Sequence, residues 1–196
     1  QGLEIHHHGD LPARSGLGSS SSFSASLLKM LYELKGEVIS KNQLTKETIN
    51  LEQSILNENV GVQDQILAVN GGFNHVEIKN NGSYILNPLT LSSSRLESFE
   101  SHILMFYTGV SRFSSDIASE SIKAIPKKQA DLFEMQKMVD IAKNILLNSE
   151  SFDDFGLLLN ESWKIKRSLT KSISPTFINE IYSKAINAGA LGGKLH

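Results

Sequence analysis

Two glycines and a run of serines, Gly16-Leu17-Gly18 followed by Ser19, Ser20, Ser21 and Ser22, stand directly before an apolar-periodic segment. Glycine takes positive φ without strain and lets backbone N–H groups approach an anion; small hydroxyls at the positive end of a helix dipole add donors for phosphate and oxygens for a metal. The chemistry this suggests is a phosphate cradle. A flexible Gly/Ser linker has the same composition, but here Phe23, Leu27, Met30, Leu31 and Leu34 follow at once on one helical face. Further along, Asp64 lies in Asn59-Val-Gly-Val-Gln-Asp-Gln65, among apolar neighbours. A carboxylate there is costly unless paired, hydrogen-bonded or used, and the same pattern fits a helix N-cap after Gly61. Glu52, beside Leu51 near the edge of an apolar stripe, reads locally as a solvated residue.

Three other groups have chemical side chains. His6-His7-His8 cannot converge on one ion from a strand, whose successive side chains point to opposite faces; a surface strand over residues 2–8 is the expectation. Thr108, Ser111 and Arg112 suit an anion, although an exposed arginine commonly ends in a salt bridge. Lys164, Lys166 and Arg167 form a basic cluster whose ordinary role is a solvated face.

The elements that must position these residues are mostly helical. A first helix spans 19–35 and ends at Gly36. Ser40 and Gln43 match a capping box that opens a second, with Leu44, Thr48, Leu51 and Ile55 on one stripe. Asn70-Gly71-Gly72 turns the chain, and 75–79 and 83–87 form a hairpin across Asn80-Asn81-Gly82. Pro88 and Ser92–Ser94 loosen the chain before an apolar strand, Ile103–Tyr107, which suggests a subdomain boundary near 88–100 and a division into 1–90 and 91–196. Pro126 opens a long helix with Leu132, Met135, Val139, Ala142 and Leu146 inward. Phe155–Trp163 make another, and Ser174-Pro175 starts a last one that ends at Gly189.

Composition narrows the class. With 196 residues, 40% hydrophobic and 20% charged, the chain can build a substantial core. A net charge of -2 gives no general attraction to nucleic acid or an anionic membrane surface. The absence of cysteine excludes disulfides, thiolate zinc sites and cysteine nucleophiles. No apolar run of about 18 residues and no basic start with an apolar core are present, so a cytoplasmic protein without nucleic-acid or membrane partners is expected. The chain opens in mid-pattern without Met and stops soon after Gly189, as if both ends were cut.

Taken together, Pro12-x-x-x-Gly16-Leu-Gly18-Ser-Ser20-Ser-Ser resembles the P-x-x-x-G-L-G-S-S-A-A phosphate loop of the GHMP small-molecule kinases, with Ser21-Ser22 in place of the two alanines. Glu52, followed twelve positions later by Asp64, resembles that family's metal-ligand glutamate and catalytic aspartate. Asp10-Leu-Pro-Ala-Arg-Ser-Gly, Glu58-Asn-Val-Gly-Val-Gln-Asp-Gln, Gly71-Gly-Phe-Asn, Phe106-Tyr-Thr-Gly-Val-Ser-Arg, Ser162-Trp-Lys-Ile-Lys-Arg and Gly189-Ala-Leu-Gly-Gly-Lys-Leu are similar to the D-glycero-D-manno-heptose 7-phosphate kinases within it. The resemblance spans practically the whole chain.

It implies an α+β fold, part of a ribosomal-S5-like N-terminal domain followed by part of a ferredoxin-like C-terminal domain. It also implies ATP and Mg2+ as cofactors, with a sugar phosphate as substrate. The residues it assigns to ATP are Pro12, Arg14, Gly16, Leu17, Gly18, Ser19, Ser20 and Ser21. Ser20 and Glu52 would hold Mg2+, and Asp64 would act on the anomeric hydroxyl as it attacks the γ-phosphoryl group. Gly71, Gly72, Asn74 and Arg112 would meet the sugar phosphate, with Lys166 and Arg167 further candidates. Galactose, fucose or a uronic acid as acceptor, and a non-catalytic nucleotide- or sugar-binding relative, stay open, as does a homodimer. The family also has a segment before residue 1 and a glycine-rich motif after residue 196, so these 196 residues alone are expected to be inactive.

Overall fold

The computed structural model describes residues 2–10, 15–109, 122–170 and 173–195. Pro12, Arg14, Ser111 and Arg112 lie outside them. The described residues fall into two compact units, one up to Gly71 and one from Gly72 onward, a different division from the one near residue 90 read from the sequence.

The first unit is helical. α1 (Ser19–Leu34) packs against α2 (Lys41–Asn50) and α3 (Gln63–Asn70). Its buried residues are Ser21, Ser24 and Ala25, whereas Phe23, Leu31 and Leu34 of the expected apolar stripe are exposed. Contact with two helices at once calls for small side chains that let backbones approach, and this outweighs hydrophobic periodicity. Ser40 caps α2, accepting a hydrogen bond from Gln43 N at 3.2 Å. The Gln43 side chain turns outward to Glu47, so the box is half formed. Residues 2–9 contain no strand; their histidines are exposed, His6 against Glu4 at 2.9 Å and His7 stacked on Phe23 at 4.8 Å.

The second unit opens with an antiparallel hairpin, β1 (Asn74–Ile78) and β2 (Tyr84–Pro88), in which Val76 faces Leu86. Gly82, at φ 79°, and the Asn81 side chain shape its turn. The serine run at 92–94 is no loosened linker: Ser92 caps α4 (Ser93–Ser101) through Arg95 N. α5 (Gln129–Asn148) follows a 3-10 turn at Ile125–Lys127, and α6 (Asp153–Leu169) and α7 (Thr176–Asn187) complete the described helices. Pro175 itself occupies the N-cap of α7, while Ser174 Oγ donates to Asn179 Oδ1. Ile145, Leu146 and Phe152 form one core cluster and Trp163, Ile173 and Ile178 another. Arg95 closes the C-terminus of α5, donating to the carbonyls of Leu146 and Ile145 at 2.5 and 2.8 Å while lying over the Phe152 ring. Ile103–Tyr107 forms no strand; Leu104, Met105 and Phe106 are each more than 70% exposed. A strand needs a neighbour to satisfy its backbone, and hydrophobicity alone does not supply one.

Candidate active site

The glycine loop reaches α1 through two left-handed turns, Gly16 at φ 78° and Gly18 at φ 69°. Gly18 is the N-cap residue of α1, and no side chain caps this helix. No acidic residue occupies its first turn either. The helix dipole and the first-turn N–H groups are therefore left without the side-chain acceptor that α2 and α4 have. Leu17 and Ser20 are exposed, Ser19 is half-buried, and Ser21 points inward.

Glu52 stands where the helical period changes. α2 passes at Leu51–Ile55 into a π turn, closed by Leu56 N donating to Leu51 O at 2.9 Å. Thr45 and Thr48 are fully buried, and Glu52, one turn on, continues their face at 1% exposure. Ile55, expected on the inner stripe, is 63% exposed. Glu52 is thus a buried residue, not the solvated one that its neighbourhood in sequence suggests. Ser21 Oγ donates to Glu52 Oε2 at 3.0 Å, and Gln65 Nε2 donates to the same oxygen. The other oxygen, Oε1, is buried with no hydrogen-bond partner.

Asp64 is not a helix cap. Val62 is the N-cap residue of α3, so Asp64 lies one residue inside the helix, in its first turn. The preceding loop is tied by Glu58 N to Glu52 O at 3.0 Å and by Gln53 Nε2 to Val60 O at 2.8 Å. Partial burial, and after it the negative charge of Glu52, raise the Asp64 carboxyl above the usual carboxylate range. A Cβ placed on Gly18 would stand 3.8 Å from Cβ, Cγ and Oδ2 of Asp64, so the acid faces the bare backbone of the loop. An uncapped helix start, a buried carboxylate and a carboxyl of raised proton affinity thus come together within one unit.

Other residues singled out by sequence fall elsewhere. Gly71 ends the first unit at φ 66°, and Gly72 and Asn74 belong to the second. Arg167 is engaged within the second unit, donating to Asn179 Oδ1 at 3.2 Å and lying over Tyr182 at 5.2 Å. Lys164 pairs with Glu161 at 2.6 Å. Gln65, which sequence reasoning passed over, is 1% exposed. Its position next to Asp64 was the available signal, since adjacent residues on a helix point about 100° apart and an outward acid implies an inward neighbour.

Among the described residues no cluster of three or more His, Cys, Asp or Glu side chains could hold a metal ion by itself. The buried, unpaired Oε1 of Glu52 is nonetheless an oxygen donor of the kind Mg2+ takes. That ion uses one or two carboxylates and draws its other ligands from water and substrate phosphates, so these residues fit it. No described helix is long and apolar enough to cross a membrane.

The chain is similar to several known kinases. Residues 1–72 match the GHMP kinases N terminal domain. The D-glycero-alpha-D-manno-heptose 7-phosphate kinase of Campylobacter jejuni is 29% identical over 98% of this chain and 57% of its own. The L-fucokinase/L-fucose-1-P guanylyltransferase of Bacteroides fragilis is 26% identical over 99% of this chain and 21% of its own. The crystal structure of a D-glycero-D-manno-heptose 1-phosphate kinase from Bacteroides thetaiotaomicron superposes with a TM-score of 0.66, at 27% identity, over 95% of this chain and 52% of that one. The chain thus spans about half the length of these heptose kinases. The match to the GHMP kinases N terminal domain covers the stretch that holds the loop, Glu52 and Asp64.

Proposed function

We propose that the protein containing this chain is an ATP- and Mg2+-dependent sugar-phosphate kinase, acting on the anomeric hydroxyl of D-glycero-D-manno-heptose 7-phosphate. The observation that carries this reading is the buried Glu52 with one oxygen doubly held and the other unpaired, beside an acid that faces the glycine loop. In this reading the loop N–H groups with Ser19 and Ser20 bind the nucleotide phosphates, Pro12 and Arg14 are assigned to the same ligand, and Ser21, whose hydroxyl is engaged by Glu52, is withdrawn from it. Glu52 and Ser20 hold Mg2+, which when bound neutralises phosphate charge and orients the phosphates.

Asp64 hydrogen-bonds the anomeric hydroxyl and accepts its proton. The sugar oxygen forms its bond to the γ-phosphorus as the bond to the ADP oxygen breaks. A raised proton affinity suits a carboxyl that must take a proton during the reaction and release it afterwards. Gly71, Gly72, Asn74 and Arg112 are assigned to the sugar phosphate. The finer fold assignment, an S5-like domain to residue 90 followed by the start of a ferredoxin-like domain, belongs to the same reading.

Similarity to a fucokinase supports a second acceptor class, the unphosphorylated hexoses. The test is a coupled ADP-release assay of the full-length protein with heptose 7-phosphate, heptose 1-phosphate, fucose and galactose. The highest kcat/KM is expected for heptose 7-phosphate. Preference for a free hexose would replace the substrate, and no turnover with any sugar would favour a non-catalytic binding protein.

A further inference from the structure

We infer that Ser21 and Gln65 are positioning residues for Glu52: together they pin one carboxylate oxygen so that the other is presented, unengaged, to a divalent cation. The inference rests on the kinase reading above and adds two residues to it. Three separate elements meet at Glu52 Oε2, with Ser21 arriving from α1, Gln65 from α3, and Glu52 itself from the π turn that ends α2. All three side chains are buried, at 4%, 1% and 1% exposure. Both donors select the same oxygen, so the carboxylate has one orientation and Oε1 is left over.

The placement in sequence gives the arrangement its use. Ser21 follows Ser20, and Gln65 follows Asp64. Neighbours on a helix diverge by about 100°, so when Ser20 and Asp64 face outward on α1 and α3, Ser21 and Gln65 turn inward onto Glu52. Each outward group is thereby tied, through its neighbour, to the same buried carboxylate. A shift of α1 or α3 would break a bond to Glu52 at the same time as it moved Ser20 or Asp64. Ser21 matters most here, because an alanine at this place would fill the space and offer no donor.

The experiment uses the full-length protein and Mn2+ as the probe, titrated by EPR in the presence of a non-hydrolysable ATP analogue. Ser21→Ala, Gln65→Met and Glu52→Gln are compared with wild type, alongside each variant's affinity for the analogue without metal and its Tm. Alanine is favoured in helices and methionine keeps the length of glutamine, so both variants are expected to fold. The expected result is Mn2+ binding weakened about 10-fold by Ser21→Ala and by Gln65→Met, the scale for loss of a ligand's supporting hydrogen bond, with metal-free analogue affinity unchanged. Wild-type Mn2+ affinity in both, while Glu52→Gln loses it, would overturn the positioning role and leave the metal site standing. A lowered Tm with unchanged Mn2+ affinity would overturn it equally, by assigning a structural role alone. Wild-type Mn2+ affinity in Glu52→Gln would overturn the metal site, and the positioning role with it.

Discussion

Ser21 and Glu52, 31 residues apart in sequence, are joined by a 3.0 Å hydrogen bond in which the serine hydroxyl donates to Oε2. The bond ties the helix that starts at the glycine loop to the turn that carries the carboxylate, so chemistry at Glu52 is sensitive to the loop. Replacing Glu52, the proposed metal ligand, is expected to give the larger effect. In Glu52→Gln, kcat is expected to fall on the order of 100-fold or more, the scale of about 3 kcal/mol of lost charge stabilisation. Steady-state kinetics at saturating Mg2+ check this, and a loss below about 3-fold would remove Glu52 from the reaction.

Asp64→Asn separates activity from stability. The raised carboxyl means that the folded chain holds this proton to a higher pH than the unfolded chain. Its contribution to stability is therefore fully present below the unfolded carboxylate value, and it is lost as pH rises through the folded one. Asparagine stays neutral and removes that loss, so at pH 7 without metal Tm is expected to rise slightly, while phosphoryl transfer falls ~10²- to 10⁴-fold. Thermal melts between pH 4 and 8 should show a shallower decline for the variant; a parallel curve would contradict the shift.

Gly18→Ala tests the loop conformation. Space is not the obstacle, since the added methyl would sit at an ordinary 3.8 Å from Asp64. The obstacle is φ 69°, which costs a residue with a Cβ about 1–2 kcal/mol. A lower Tm and weaker ATP-analogue binding are expected. Gly61→Ala, at a glycine with open space and no positive φ, should leave Tm within ~1 °C; equal effects of the two would remove the special role of the Gly18 turn.

Arg95→Met addresses the second unit. It removes two donors from the last carbonyls of α5 and a cation over the Phe152 ring. A loss of about 2 kcal/mol is expected from buried carbonyls left without their charged donor, read as a Tm roughly 4–8 °C lower. An unchanged melt would show that water replaces the guanidinium at no cost.

Local chemistry made much of this molecule readable. Gly16 and Gly18 announced left-handed turns before a helix, Ser40 its cap, and Asn80-Asn81-Gly82 the hairpin turn, because each depends on only a few consecutive residues. The expected strand at Ile103–Tyr107 shows where such reading stops. Its residues have the right hydrophobicity, but a strand is completed by a partner that no local window contains.

The candidate site divides along the same line. By itself, the sequence determined which groups are present and how they are spaced: a glycine turn leading into a helix, a glutamate, and an acid twelve residues beyond it. Tertiary structure alone decided what those groups touch. Glu52 continues the buried face of Thr45 and Thr48, the π turn leaves Ile55 outside that face, and close packing of α1 selects Ser21, Ser24 and Ala25 over the apolar stripe. Gln65 then meets a carboxylate whose second oxygen stays unpaired. Burial and hydrogen bonding are properties of surfaces brought together, and helical periodicity constrains them only until a change of pitch or a third packed element resets which face is inside.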